Sequence, residues 1–202
     1  MRKAKHCAGA VAIALTVSFG SNCESYNIGS NEREGFIFMS KRPVLEIPKT
    51  QLEKSLHIFS FILVGLMLLL SILSWNDLPD KIPIHFNIFG DADRWGGKAS
   101  ILILPIVGFF VFKLTFLLGK APHMLNYPVK ITKENAARVY LEARRMLVLI
   151  NFEISMMLTF LHVDIVLNAY KKMGFGSWMM PVFFILLFGT IGISIYRIVK
   201  LK

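Results

Sequence analysis

Residues 76–98, NDLPDKIPIHFNIFGDADRWGGK, form a patterned polar segment between two apolar runs of membrane length. The flanking runs cover residues 57–75 and 100–119, and two more follow at 146–169 and 178–199. Each run is close to the ~20 residues that a helix needs to cross the hydrocarbon layer. Because a backbone in lipid must satisfy its own polar groups, these runs predict four transmembrane helices.

The composition favours a membrane protein over a soluble domain. Of the 202 residues, 54% are hydrophobic and 18% are charged, whereas soluble domains have roughly 45–50% and about 25%. The net charge of +10 raises nucleic-acid binding as an alternative. The basic residues cluster beside the apolar runs on alternate sides, so we expect an all-α membrane protein and no nucleic-acid partner.

The distribution of Lys and Arg predicts the orientation in the bilayer. Residues 39–56, residues 120–145 and the C-terminal end together carry thirteen basic residues, whereas residues 76–99 and 170–177 carry five. By the positive-inside rule, both termini are cytoplasmic and residues 76–99 are extracytoplasmic. We therefore expect a multi-pass protein of the cell (plasma) membrane, with the lipid bilayer as its principal partner.

Residues 1–38 resemble a signal or leader segment, with a charged start and a short apolar run. Both cysteines, Cys7 and Cys23, lie here, so the rest of the chain has no cysteine for a disulfide or metal site. Cleavage would place a basic segment outside the membrane, against the charge bias of the later loops. We expect instead that the start is assigned too early and that Met39 begins the protein.

The polar segment predicts one short strand followed by a turn. Residues 82–88 alternate between apolar and other residues, a period of two that is typical of an extended strand. Ile84 would lie on the apolar face, and His85 and Asn87 would point the other way. Gly90 and the aspartates beside it indicate the turn.

The pattern LPDKIPIHFNIFGDADRWGGK resembles the signature of a bacterial membrane family of unknown function, whose domain also forms the N-terminal part of SdpI-type toxin-immunity proteins. A later stretch, 126–135 with Tyr140, is similar to the same family, and the resemblance extends over residues 55–147. The resemblance implies that the loop recognises an extracytoplasmic peptide or envelope ligand. The candidate functional residues of the loop are Pro79, Asp80, Pro83, His85, Asn87, Gly90, Asp93 and Lys98.

The connection at residues 120–145 predicts a further, amphipathic helix. Thr132 can cap a helix that begins KENAARVYLEARRML. Val139 and Tyr140 lie on its apolar face. This helix is either a surface element that runs into the third span or a docking surface for a cytoplasmic protein partner.

Ionisable residues within the spans give further hypotheses. Lys113 and Glu153 lie at matching depths and would form a structural ion pair or part of a proton or ion path, unless Lys113 extends to the membrane interface instead. His162 and Asp164 could approach His85, which raises the alternative of a zinc site. The spacing matches no metal motif, so we expect no metal and no cofactor.

Three functions follow from these features. The first is a non-enzymatic membrane protein for immunity or envelope signalling, with the loop as recognition element. The second is a small transporter or ion-conducting subunit that uses Lys113 and Glu153. The third is a membrane enzyme that uses His85 and the loop aspartates. No Gly-rich phosphate loop, nucleophile motif or His-Glu-x-x-His sequence is present.

The predicted orientation is testable by cysteine labelling in intact cells, in a background without Cys7 and Cys23. A membrane-impermeant maleimide should label Asp91→Cys at once, because the loop is predicted to face outward. It should label Lys133→Cys only after permeabilisation. The reverse labelling pattern would contradict the orientation.

Overall fold

The computed structural model describes most of the chain beyond residue 41. The described residues are 42–87, 89, 91–170, 174–176 and 178–202. Residues 1–38 and Gly90, for which the sequence made predictions, lie outside these ranges.

Within the described ranges the fold has four long helices: α1 Gln51–Ser74, α2 Ile103–Lys120, α3 Ala136–Ala169 and α4 Met179–Val199. All four are long and apolar enough to cross a membrane, α2 together with the 3-10 turn Lys98–Leu102 that precedes it. The predicted four-helix membrane fold is therefore confirmed, and the chain is a multi-pass membrane protein. The predicted cytoplasmic helix and the third span are one continuous helix of 34 residues.

The helices bury small polar side chains and expose large apolar ones. On α1, Ser60 and Ser71 are fully buried, whereas Phe59 and Ile72 are more than half exposed. Small residues let helix backbones approach closely in a membrane, and large apolar side chains face the lipid tails. Gly108 of α2 is one such close approach, because an added Cβ would lie 2.9 Å from the Met67 side chain of α1.

A two-stranded antiparallel hairpin connects α1 to α2. Its strands are β1 Lys81–Phe86 and β2 Ala92–Gly97. The sequence predicted only β1, and the second strand is a correction. Gly96 and Gly97, at the end of this second strand, pair with Ile82 and Lys81 of β1. We call this end of the bundle the hairpin end.

The pairing of β1 is irregular in its second half, which alters the predicted faces of the strand. Register shifts occur on both sides of His85. Ile82 and Pro83 are both buried, and Ile84 is 43% exposed. Burial therefore does not alternate along β1 as the sequence does, because a bulge-like irregularity at His85 interrupts the period of two.

The opposite end of the bundle, which we call the terminal end, contains a compact apolar cluster. The cluster comprises Val129, Ile131, Ala136, Val139, Tyr140, Ala143 and Ile198, with Ile47 and Leu201 packed against it. Both termini of the described chain therefore lie at the same end of the bundle. The side of the membrane on which this end lies stays a prediction. The apolar face of the amphipathic segment is buried inside the protein, which favours its structural interpretation over a docking surface.

Hydrogen bonds fix the connection that leads into this cluster. The Tyr127 hydroxyl donates to the carbonyl of Pro122 at 2.7 Å. Burial raises the pKa of Tyr127 well above its ordinary value, so the hydroxyl remains a donor at any physiological pH. Thr132 and Asn135 exchange reciprocal bonds ahead of α3, with Asn135 Oδ1 accepting from the Thr132 amide at 2.9 Å. The Thr132 hydroxyl, which was predicted to cap the helix, accepts from the Asn135 amide in the turn before it. The helix α3 itself begins at Ala136.

A buried ion pair joins α1 to α3 at the terminal end. Arg144 Nε donates to Glu53 Oε1 at 2.6 Å, and its Nη2 donates to Oε2 at 3.2 Å. The remaining guanidinium donors reach the carbonyls of Ile47 and Pro48 at 2.7 and 2.9 Å. Glu53 also closes a capping box with Thr50 at the start of α1. Both charges are therefore satisfied while 1% of Glu53 and 7% of Arg144 are exposed.

Breaking this pair should be costly. Glu53→Ala leaves the guanidinium buried beside carbonyls alone, and removing one partner of a buried pair costs about 3–5 kcal/mol of unfolding free energy. Arg197→Gln is the matched control, because its pair with Glu142 is exposed on the arginine side and should cost about 1 kcal/mol or less. Denaturant unfolding in micelles measures both. Equal losses for the two variants would contradict a structural role for the Glu53–Arg144 pair.

Candidate functional site

The base of the hairpin is built by the first and last residues of the predicted loop motif. The amide of Lys98 donates to the carbonyl of Asp80 at 3.0 Å. The Lys98 ammonium lies 5.3 Å from the centroid of the Trp75 ring, a cation–π distance. Pro79 is exposed beside them. These residues therefore fix where the hairpin leaves α1 and enters α2.

An apolar cluster attaches the hairpin to α3. Leu78 and Ile82 are buried with Ile101 and Ala169. Pro83 is fully buried as well. Of the candidate residues, Pro83 is thus part of the packing between the hairpin and the helices and is not accessible to a ligand.

Asn87 organises the turn between the strands. Its Oδ1 accepts from the amides of Phe89 and Asp91 at 2.9 and 3.0 Å. Its own amide donates to the Asp91 carbonyl at 2.9 Å. Asn side chains that bond nearby backbone amides favour turns in this way. Asn87 therefore has a structural role that the sequence pattern did not separate from binding.

His85 and Asp93 form an exposed pair across the hairpin. His85 Nδ1 lies 2.6 Å from Asp93 Oδ1, and their side chains are 57% and 43% exposed. The pair fixes the orientation of the imidazole and leaves its other nitrogen without a described partner. Both side chains of the pair are therefore accessible to a ligand.

β1 forms one wall of a groove against the hairpin ends of α3 and α4. This hairpin groove has a volume of about 560 Å³ and is largely apolar. Its lining includes Ile84, His85 and Phe86 of β1, Asn87 of the turn, Leu104 of α2, Leu161, Asp164 and Ile165 of α3, and Met179, Met180, Pro181 and Phe184 of α4. Predominantly apolar walls with a few polar groups are typical of ligand sites.

Asp164 supports the groove by holding the connection between α3 and α4. Its Oδ1 accepts from the Phe175 amide at 2.6 Å. An added Cβ at Gly174 would overlap the carboxylate, so the close approach requires glycine. The sequence linked Asp164 to His85, and the structure places both in the groove lining.

His162 does not join His85 and Asp164. It is fully buried on the side of α1, where its Nε2 lies 3.2 Å from the Ser71 hydroxyl. In the part of the chain that the structure describes, no group of three or more His, Cys, Asp or Glu residues is arranged to hold a metal ion.

The structure does not bring Lys113 and Glu153 together. Glu153 accepts a short hydrogen bond from the Thr190 hydroxyl of α4. Lys113 is exposed on α2. The predicted pair is therefore not formed, because equal depth along two helices does not require the side chains to share a face.

Comparison with known proteins identifies the region that contains the hairpin. Residues 62–109 match the model of a domain of unknown function, DUF1648. The match runs from within α1, through the hairpin, into α2, and so contains all the candidate loop residues. The predicted resemblance is thereby confirmed, over a shorter range than the 55–147 expected from the sequence.

Two curated relatives align with this chain. An uncharacterized protein of Archaeoglobus fulgidus is 33% identical over 89 residues, which are 40% of this chain and 49% of that protein. The immunity protein SdpI of Bacillus subtilis is 29% identical over 124 residues, which are 61% of this chain and 56% of SdpI. The alignments thus span about half the length of each relative. No solved structure matches the chain.

Removing the Asn87 side chain should loosen the hairpin tip. Asn87→Ala deletes the acceptor of two backbone amides, so amide hydrogen exchange at Phe89 and Asp91 should accelerate by about fivefold, as expected for about 1 kcal/mol per bond. Asp93→Asn is the control, since it alters an exposed pair that contributes little. Unchanged exchange in Asn87→Ala would contradict the structural role.

Proposed function

We propose that this protein is a non-enzymatic receptor-like protein of the cell membrane that binds an extended, apolar peptide in the hairpin groove and protects the cell that carries it. The observation that carries this proposal is the groove itself, which combines a strand, two helix ends and an exposed His–Asp pair. The name of the SdpI relative, an immunity protein, supports protection as the outcome of binding.

The free edge of β1 favours a peptide as ligand. β1 pairs with β2 only, among the strands that the structure describes, and it is the strand that lines the groove. An unpaired strand edge offers backbone donors and acceptors to an added strand, and nearby pockets then select side chains. The mainly apolar lining from α3 and α4 suits the apolar side chains of such a peptide.

The polar groups of the groove would fix the orientation of the peptide. His85 and Asn87 stand on the strand side, and Asp164 stands on the helix side. His85 is exposed and already oriented by Asp93, so its ring can bond a backbone or side-chain group of the ligand. The groove lies at the hairpin end of the four-helix bundle. A peptide inserted in the membrane could enter it from there.

Filling the groove should abolish protection. Met180→Trp places a large ring in the groove lining, whereas Ile185→Trp adds the same ring at a 72% exposed position of α4 outside it. We expect cells that express the protein, or its Ile185→Trp variant, to survive hydrophobic membrane-active peptides at concentrations that kill vector controls. Cells with Met180→Trp should die as the vector controls do.

The transporter and enzyme hypotheses predict different results for variants of this protein. Protection that is unaffected by Met180→Trp at equal expression, or absent in the parent protein, would contradict the proposal. Ion or solute flux in liposomes that depends on Glu153 would favour a transporter. Turnover of a substrate that His85→Ala abolishes would favour an enzyme.

A further inference from the structure

Two lysine ammonium groups meet over one aromatic ring at the terminal end. Lys49, which precedes α1, and Lys120, the last residue of α2, lie 4.4 and 4.8 Å from the centroid of the Phe116 ring. Their nitrogens are therefore at most about 9 Å apart, close to the distance over which physiological salt screens charges. The ring attracts both cations, but it does not neutralise them. Two positive charges thus converge at one place on the surface.

Carboxylates of the protein do not compensate these two charges. Neither lysine forms an ion pair with a carboxylate in the part of the chain that the structure describes. Glu46 is three residues from Lys49 but outside ion-pair distance. Glu53 is bound to Arg144 and is 1% exposed, whereas both lysines are exposed. The pair of ammonium groups therefore favours a negatively charged ligand from outside the protein.

Next to the lysines, four rings form a continuous wall between α1 and α2. His57 packs edge-on against Phe116 with 5.3 Å between the ring centroids, and Phe116 stacks on Phe112 at 6.2 Å. Phe112 in turn lies 5.8 Å from Phe61. Phe61 is 59% exposed, so the wall runs from the lysines towards the middle of α1 and there faces the lipid. An apolar surface of this kind suits an acyl chain.

From this arrangement we propose that the α1–α2 interface at the terminal end is a binding site for an anionic phospholipid. The phosphate group lies between the ammonium groups of Lys49 and Lys120, which donate charge-assisted hydrogen bonds to its oxygens. One acyl chain lies along the wall of rings. Basic pockets between transmembrane helices bind anionic headgroups in this way. The site is at the opposite end from the hairpin groove and does not depend on the function proposed for that groove.

Native mass spectrometry of the purified full-length protein in neutral-detergent micelles tests the proposal. Dioleoyl phosphatidylglycerol should remain bound to the parent protein in preference to dioleoyl phosphatidylcholine, which has the same acyl chains and no net charge. The double variant Lys49→Gln with Lys120→Gln should weaken phosphatidylglycerol binding by at least about tenfold, because each lysine beside an anionic lipid contributes to the affinity. Lys49→Arg with Lys120→Arg keeps both charges and should retain binding.

A matched pair of lysines separates a defined site from diffuse surface charge. Lys200→Gln with Lys202→Gln removes the same charge from the same end of the bundle, including a lysine whose ammonium lies 4.6 Å from the centroid of the Tyr196 ring. This variant should bind phosphatidylglycerol as the parent does. Equal losses for the two glutamine pairs, or no preference of the parent for phosphatidylglycerol, would overturn the proposal. Displacement of the lipid by an equal concentration of inorganic phosphate would overturn it too, because the lysines would then bind free phosphate.

Discussion

The buried bond between Arg144 and Glu53 joins three parts of the chain that lipid alone would leave separate. Apolar surfaces gain little from meeting one another in a membrane, since lipid tails are as apolar as leucine side chains. Position along the bundle must therefore come from directional contacts. The Arg144 guanidinium provides them by bonding the first turn of α1 and two carbonyls of the segment before it. With α1 fixed against α3 at this end, serines and Met67 along the interface bring the two helices together.

The same helix, α3, then positions the hairpin. Ala169 near its end packs with Leu78 and Ile82, which seats the first strand on the bundle. The hairpin groove also uses α3 as a wall. The order of dependence therefore runs from an ion pair at one end, through a helix interface, to the hairpin groove at the other end. Apolar contacts alone would not fix the position of α1 and the hairpin along α3.

The sequence predicted the fold well where one physical rule dominates. Apolar length alone marks the four spans, and the loop pattern marks the domain that the comparison identified. The sequence also marks the start of α1, because Thr50 and Glu53 have the spacing of a capping box. Its partner Arg144 lies 91 residues away, and no local pattern indicates which of several arginines turns inward.

The site was less predictable, because its features depend on register and on which face of a helix is covered. The bulge in β1 decides that Ile84 is exposed, and nothing in the alternation of residues 82–88 reveals it. Lys113 and Glu153 were expected to meet because they lie at similar depths in the sequence of their helices. Packing decides which face each helix turns to its neighbours, and it directs Glu153 towards Thr190 of α4. Asn87 shows the opposite case, in which a motif residue that suggested recognition holds the backbone of the turn.

The length of α3 has a mechanical consequence. Its 34 residues extend for about 50 Å, well beyond the ~30 Å of hydrocarbon, without an interruption at the membrane boundary. The end of α3 beside the hairpin and the turn that carries Arg144 thus belong to one continuous helix. A displacement of α3 at one surface of the membrane therefore has a direct covalent and hydrogen-bonded route to the other surface.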